Sequence, residues 1–68
     1  MDQQSIGKVK FFKPDEDYGI IICDGQDVYC HKSDFKEIGL TTLTRGQKVE
    51  FFMESGPKGL IAKSVVLQ

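Results

Sequence analysis

The stretch Tyr18-Gly19-Ile20-Ile21-Ile22-Cys23-Asp24-Gly25-Gln26-Asp27-Val28-Tyr29-Cys30-His31 decides the fold. Its two ends are short runs rich in β-branched and aromatic residues, which suit a pleated, half-buried surface. Between them stands Asp24-Gly25-Gln26-Asp27, a turn signal of the kind that joins two antiparallel strands. Taking Asp24 and Asp27 as the residues that flank a two-residue loop sets a register. Cys23 then faces Val28 and Ile21 faces Cys30 on one side of the sheet. Ile22 faces Tyr29, Ile20 faces His31 and Tyr18 faces Ser33 on the other. The first set is small and apolar, as a core requires. The second gathers Tyr18, Tyr29 and His31, whose polar tips would each need a partner if buried, so it belongs on the surface. The same register sets Cys23 and Cys30 diagonally, about 7–8 Å apart. A disulfide needs Cα atoms within about 7 Å, so both are expected as reduced core residues.

Working outward, Lys8-Val9-Lys10-Phe11-Phe12 alternates and then meets Pro14, which ends a strand. Lys32 to Arg45 is a polar connection, expected to hold a helical turn near Ser33 to Ile38. From Gln47 to Glu54 the pattern alternates again, with Val49, Phe51 and Met53 on one face and Lys48, Glu50 and Phe52 on the other. Ser55-Gly56-Pro57-Lys58-Gly59 reads as a turn, and Leu60 to Leu67 as the last strand. Five short strands at this spacing imply a small sandwich or barrel. Closing the sheet on itself removes its exposed edges. The expected fold is all-β, a five-stranded antiparallel barrel of the oligonucleotide-binding (OB) fold type, partly open, formed by residues 1–68 as one domain.

A chain of 68 residues has a thin core and little room for an enclosed active site. Hydrophobic residues make up 40% and charged residues 28%, the proportions of an ordinary globular protein. No apolar run approaches the ~18 residues of a membrane span, so no membrane partner is expected. The polar, acidic start Met1-Asp2-Gln3-Gln4-Ser5 is unlike a secretory signal, and two cysteines are too few for a disulfide scaffold. Both point to a reducing cytoplasm. Net charge is −1, yet three of the nine basic residues, Lys8, Lys10 and Lys13, fall in one short stretch, with Asp15, Glu16 and Asp17 in a separate block. A face with two tyrosines and a histidine beside a lysine-rich strand suits single-stranded nucleic acid. Bases stack on such rings for about 1–3 kcal/mol each while lysines hold phosphates. Nothing points to an enzyme, since there is one histidine, no CxxC pair, no Gly-rich phosphate loop and no triad. Asp15, Glu16, Asp17, Asp24 and Asp27 fit no calcium-loop spacing and read as solvated acids, so no metal or other cofactor is expected.

Taken together, these segments resemble a known family. Gly7-Lys8-Val9-Lys10-Phe11-Phe12 resembles the first-strand signature Gly-Lys-Val-Lys-Trp-Phe of bacterial cold-shock proteins. Asp17-Tyr18-Gly19-Ile20-Ile21 is similar to their first ribonucleoprotein-type motif, Lys-Gly-Phe-Gly-Phe-Ile, with Glu16 at the lysine position. Asp24 to His31 resembles the Asp-Gly-x-Asp-Val-Phe-Val-His segment that holds the second. Leu43-x-x-Gly46-Gln47-x-Val49-x-Phe51 and Gly56-Pro57-Lys58-Gly59-x-x-Ala62-x-x-Val65 are similar to the last two strands. The likeness runs from Gly7 to Val65.

The resemblance implies a barrel that binds single-stranded RNA and DNA with low sequence preference, as an RNA chaperone, antiterminator or cold-shock regulator of transcription. Its stacking positions fall on Phe11, Phe12, Tyr18, Ile20, Tyr29, His31, Lys32 and Leu40. Its basic contributors fall on Lys8, Lys10, Lys13 and Lys58. Several positions depart from the pattern. Phe11 stands for tryptophan, Ile20, Lys32 and Leu40 stand where aromatics are usual, Glu16 replaces a lysine and Asp17 a glycine. Asp tolerates left-handed backbone, so the turn is retained while binding is weakened. The alternative is a diverged cold-shock fold whose face, made more aliphatic by Ile20, Leu40 and Phe52, serves protein interaction or self-association. The chain is expected as a monomer, with a dimer as the other possibility.

Overall fold

A computed structural model describes residues 4–37 and 39–68. Five strands occur in the order β1 (Gln4–Lys13), β2 (Tyr18–Cys23), β3 (Gln26–His31), β4 (Lys48–Gly56) and β5 (Gly59–Leu67). One 3-10 turn, Lys32–Asp34, follows β3; it is shorter than the helical turn expected there, whose Ile38 end lies outside the described residues. The strands close into a barrel, β1-β2-β3-β5-β4, so the partly open sheet expected from the sequence is in fact sealed. Four of the seams are antiparallel, which bears out the five-stranded antiparallel barrel of OB type, and β3 closes on β5 in parallel at Tyr29↔Ile61. A second parallel bridge, Phe35↔Val65, and the bond from the Lys36 N–H to the Val65 carbonyl (2.9 Å) extend that seam.

The β2–β3 hairpin has the expected strands and a different register. Cys23 pairs with Gln26, Ile21 with Val28, Gly19 with Cys30, Ile22 with Asp27, Ile20 with Tyr29 and Tyr18 with His31. The loop is therefore Asp24-Gly25 and not Gly25-Gln26. Asp24 lies at φ 52° and Gly25 at φ 76°. The favoured two-residue hairpin turn needs positive φ at both central positions, which Asp-Gly accepts and Gln resists. The slip moves each pairing by two residues, so every side chain keeps its face.

The inward residues Val9, Ile21, Cys23, Val28, Cys30, Leu43, Val49, Phe51, Ala62 and Val65 form the core. Cys23 and Cys30 are both free and buried, and lie four residues apart along the hairpin, about 13 Å, well beyond the diagonal placement expected. Burial pushes the Cys30 thiol up from 9.0 to about 11, opposed by a hydrogen bond with the Gly19 backbone and reinforced by the charge of Asp34. Burial, aided by Asp24, raises Cys23 as well. Between those two values the unfolded chain ionises first and binds fewer protons, so stability falls as pH rises. The expected loss attributable to Cys30 is on the order of 2 kcal/mol. It is read from urea midpoints at neutral and strongly alkaline pH, for the native chain against Cys30→Val. Identical pH dependence in the two proteins would show that the thiol contributes nothing.

Candidate nucleic-acid interface

On the outer face of β1, β2 and β3 the pairing lines up three rows. Lys13, Tyr18 and His31 form one, Phe11, Ile20 and Tyr29 the next, and Lys8, Ile22 and Asp27 the third. A β-bulge between Val9 and Phe11 makes this possible. Strict alternation would turn Phe11 inward after Val9 and send Phe12 out. The extra residue reverses that parity, so Lys10 and Phe11 both face outward and Phe12 turns toward the core. Lys10 accordingly reaches Asp27 at 3.7 Å, an exposed pair that contributes little to stability.

The rings of the first two rows touch. Tyr18 and Tyr29 stack with centroids 5.5 Å apart and planes 21° from parallel. Phe11 meets Tyr18 edge-on at 6.3 Å and 83°. The ammonium of Lys13 stands 5.9 Å from the centroids of both Phe11 and Tyr18, within cation–π range. A positive charge is thus held at the rim of a three-ring platform, of which Tyr29 is 40% exposed. His31 closes the platform at its end. Its Nδ1 accepts the Ser33 N–H at 3.1 Å, which in the neutral ring leaves the proton on Nε2 as a free donor. The same bond caps the 3-10 turn.

The other sequence-predicted positions are distributed around this platform. Ile20 lies within it, between Phe11 and Tyr29 in its row. Lys58, on the β4–β5 turn, joins Ile20 and Tyr29 in lining a groove of about 520 Å³ with Pro57, Leu60 and Ile61. Lys8 and Lys10 are exposed on the same outer face. Lys32 is exposed beside His31, and its N–H donates to the Asp17 carbonyl at 2.8 Å. Phe12 and Leu40 are separate from the ring cluster. Phe12 pairs with Gly19, packs on Phe35 at 5.5 Å and lies against the core, and Leu40 also packs on the core.

The acidic turn Pro14–Asp17 sits at the platform's edge. Asp17 is at φ 59°, the left-handed backbone anticipated for this position. Lys32 ties it to the start of the 3-10 turn, which keeps Glu16 and Asp17 near the cationic end of the site.

The chain matches the model of the 'Cold-shock' DNA-binding domain over residues 5–68. It belongs to the cold-shock domain family. It is similar to the cold shock-like protein CspA of Stigmatella aurantiaca, 48% identical over 61 residues, covering 87% of this chain and 90% of that protein. It is also similar to the cold shock-like protein CspI of Escherichia coli, 43% identical over 68 residues and 97% of each chain. The cold shock protein 1 of Lactiplantibacillus plantarum is 46% identical over 63 residues, covering 91% of this chain and 96% of its own.

Within this cold-shock domain, Asp27, Leu60 and Ile61 also border the platform, and no local sequence pattern marks them for it. Asp27 both holds Lys10 and lines the groove beside Tyr29. Leu60 and Ile61 reach that groove only through the parallel β3–β5 seam, more than thirty residues away in sequence, and no local pattern announces such a pairing. Among the described residues, no three His, Cys, Asp or Glu side chains gather as a metal site would require.

Proposed function

We propose that this cold-shock domain binds single-stranded RNA and DNA with low sequence preference, as an RNA chaperone or transcriptional regulator in the cytoplasm, and that it binds without catalysis. The observation that carries this reading is the Phe11–Tyr18–Tyr29 cluster with Lys13 at its rim. Bases stack on the rings and on the flanking His31, and phosphates are held by Lys13 and, farther along the face, by Lys8, Lys10, Lys32 and Lys58. Ile20 offers an aliphatic surface between two rings, a weaker platform than an aromatic one. Phe12 and Leu40 act at the margin, through the packing that supports the platform. A single strand is preferred because a paired base keeps its faces stacked inside the duplex and cannot lie on a tyrosine.

The chain has no tryptophan and two tyrosines, both in the platform, so intrinsic fluorescence reports on the site directly. Titration with a pyrimidine-rich heptanucleotide is expected to quench that signal with a Kd around a micromolar at moderate salt, about −8 kcal/mol. Log affinity should fall with log salt at a slope of about −0.7 for each phosphate engaged. The duplex of the same sequence should bind much more weakly. Equal affinity for duplex and single strand, or a salt slope of zero, overturns the proposal.

A further inference from the structure

A second cationic groove lies away from the tyrosines, on the β1–β4 seam, with a volume of about 650 Å³. Lys8 and Lys48 are directly opposed across the two strands. Both flank buried residues and are themselves exposed, so they share the outer face with Cβ atoms about 4.5–5.5 Å apart. Two like charges placed so repel each other and cost stability, which a bound anion would reverse. Arg45 lines the same groove. Glu50, the nearest acid on that face of β4, stands opposite Ile6. Among the described residues the ion pairs are Lys10–Asp27 and Lys63–Asp34, so none of the three cations has a carboxylate at ion-pair distance.

The turn that carries Arg45 is firmly tied to the barrel. Thr44 to Gln47 is a tight turn in which the Gln47 N–H donates to the Thr44 carbonyl at 3.0 Å, with Gly46 at φ 88° as its third residue. The Gln47 Oε1 accepts from the Thr44 N–H at 2.7 Å and closes the turn a second time. Two backbone bonds then clip it to β1, from the Val9 N–H to the Gln47 carbonyl (2.9 Å) and from the Gly46 N–H to the Val9 carbonyl (2.8 Å). A guanidinium lining one groove with two lysines supplies the charge and the forked donors that a phosphate takes. Ile6, half exposed, and Ile22 provide an apolar ledge against which a base or sugar rests.

The groove is also connected to the platform. Lys13, Lys10 and Lys8 run down the outer side of β1, a distance of about 16 Å, and Lys8 belongs to both places. From this arrangement we infer that Lys8, Lys48 and Arg45 form a second phosphate-binding subsite, which takes the backbone of a single strand too long to be held on the tyrosine face alone. The inference rests on the single-strand binding proposed above and extends the strand's path beyond it.

The test compares a tetranucleotide with a dodecanucleotide, lengths that fall within the ~4–16 nucleotides spanned by barrels of this type. Arg45→Gln combined with Lys48→Gln should reduce the dodecanucleotide's log–log salt slope by about 1.4, two contacts at about 0.7 each. Tetranucleotide affinity and slope should be unchanged. The double variant's unfolding midpoint should stay level or rise, because Lys8 loses a repelling neighbour. An unchanged dodecanucleotide slope overturns the inference. So does an equal fall for both lengths, which would mean that the two charges act on the tyrosine site at a distance. Either result leaves tyrosine-face binding standing, provided that wild-type protein binds the tetranucleotide; if it binds neither oligonucleotide, both readings fail.

Discussion

Phe51→Ala is expected to lose about 3–5 kcal/mol of folding stability, the usual range for deleting a buried phenylalanine. Among the described residues, Phe51 is the largest side chain with no exposed surface and the only aromatic ring in the buried core. The rest of that core is Val, Ile, Leu, Ala and Cys, so one ring fills a large part of the barrel's interior. Two features keep the gap open once the ring is removed. The strands around it are tied on both sides into a closed ladder, which cannot collapse inward without breaking backbone hydrogen bonds. The side chains buried with the ring are also all smaller than it, so none of them fills the gap alone. At about 0.05–0.15 kcal/mol per residue, the chain's whole stability is about 3–10 kcal/mol. The variant is therefore left barely folded or unfolded. With a urea m-value of about 1 kcal/mol per molar, the midpoint should fall by several molar, and Phe51→Leu should fall much less. A shift below about 0.5 M for Phe51→Ala would mean that the barrel repacks around the gap.

The inside of this barrel was legible in the sequence because inward positions are marked by size and polarity together. Val49 and Phe51, or Ile21 and Val28, have no polar group to place, and alternation alone assigns them. The hairpin register expected from the turn differs from the observed one by two residues, and every face stays correct because the side-chain period along a strand is two. The loop itself turned on a finer point. Asp-Gly takes two positive φ values more cheaply than Gly-Gln, and that preference sets the pairing.

The β1 bulge was not legible. Nothing in Lys8-Val9-Lys10-Phe11-Phe12 says that one residue will be left unpaired, and the cause lies in the bending needed to close β1 against both β2 and β4. Its effect is to separate two adjacent phenylalanines, Phe11 to the platform and Phe12 to the core. The parallel meeting of β3 and β5 was equally hidden. It depends on the path of the polar connection after His31, which has no periodic pattern. The candidate site divides in the same way. The platform was legible wherever strand alternation held, at Tyr18, Tyr29 and His31, and the second groove was not, because Lys8 and Lys48 become neighbours only when β1 and β4 pair.

Tyr18→Ala is expected to weaken oligonucleotide binding more than any other single change on the outer face. Tyr18 is the shared member of the ring cluster, since Phe11 leans on its edge, Tyr29 stacks on its face, and Lys13 is positioned over it. Removing it deletes one stacking surface, worth about 1–3 kcal/mol, and leaves its neighbours free to move. Ile20 stands between Tyr29 and Phe11 in their row, and each ring pairs with Tyr18, so neither can take over the support that Tyr18 provides. The loss in affinity should reach about 5–150-fold, the conversion of that energy at 25 °C. The salt slope should remain as in the native chain, because no phosphate contact is removed and the field of Lys13 persists wherever its ammonium settles. Tyr18→Phe separates ring from hydroxyl, and should bind within about twofold of the native protein if stacking is what counts. Tyr29→Ala gives the contrast. That ring is at the edge of the cluster, and its loss removes one surface without unpacking the others, so its effect should be smaller at every salt concentration. The decisive comparison is a salt titration of all three variants, with circular dichroism to confirm the barrel. A Tyr18→Ala protein that is folded and binds as tightly as the native chain would move the nucleic-acid site off the β1–β3 face.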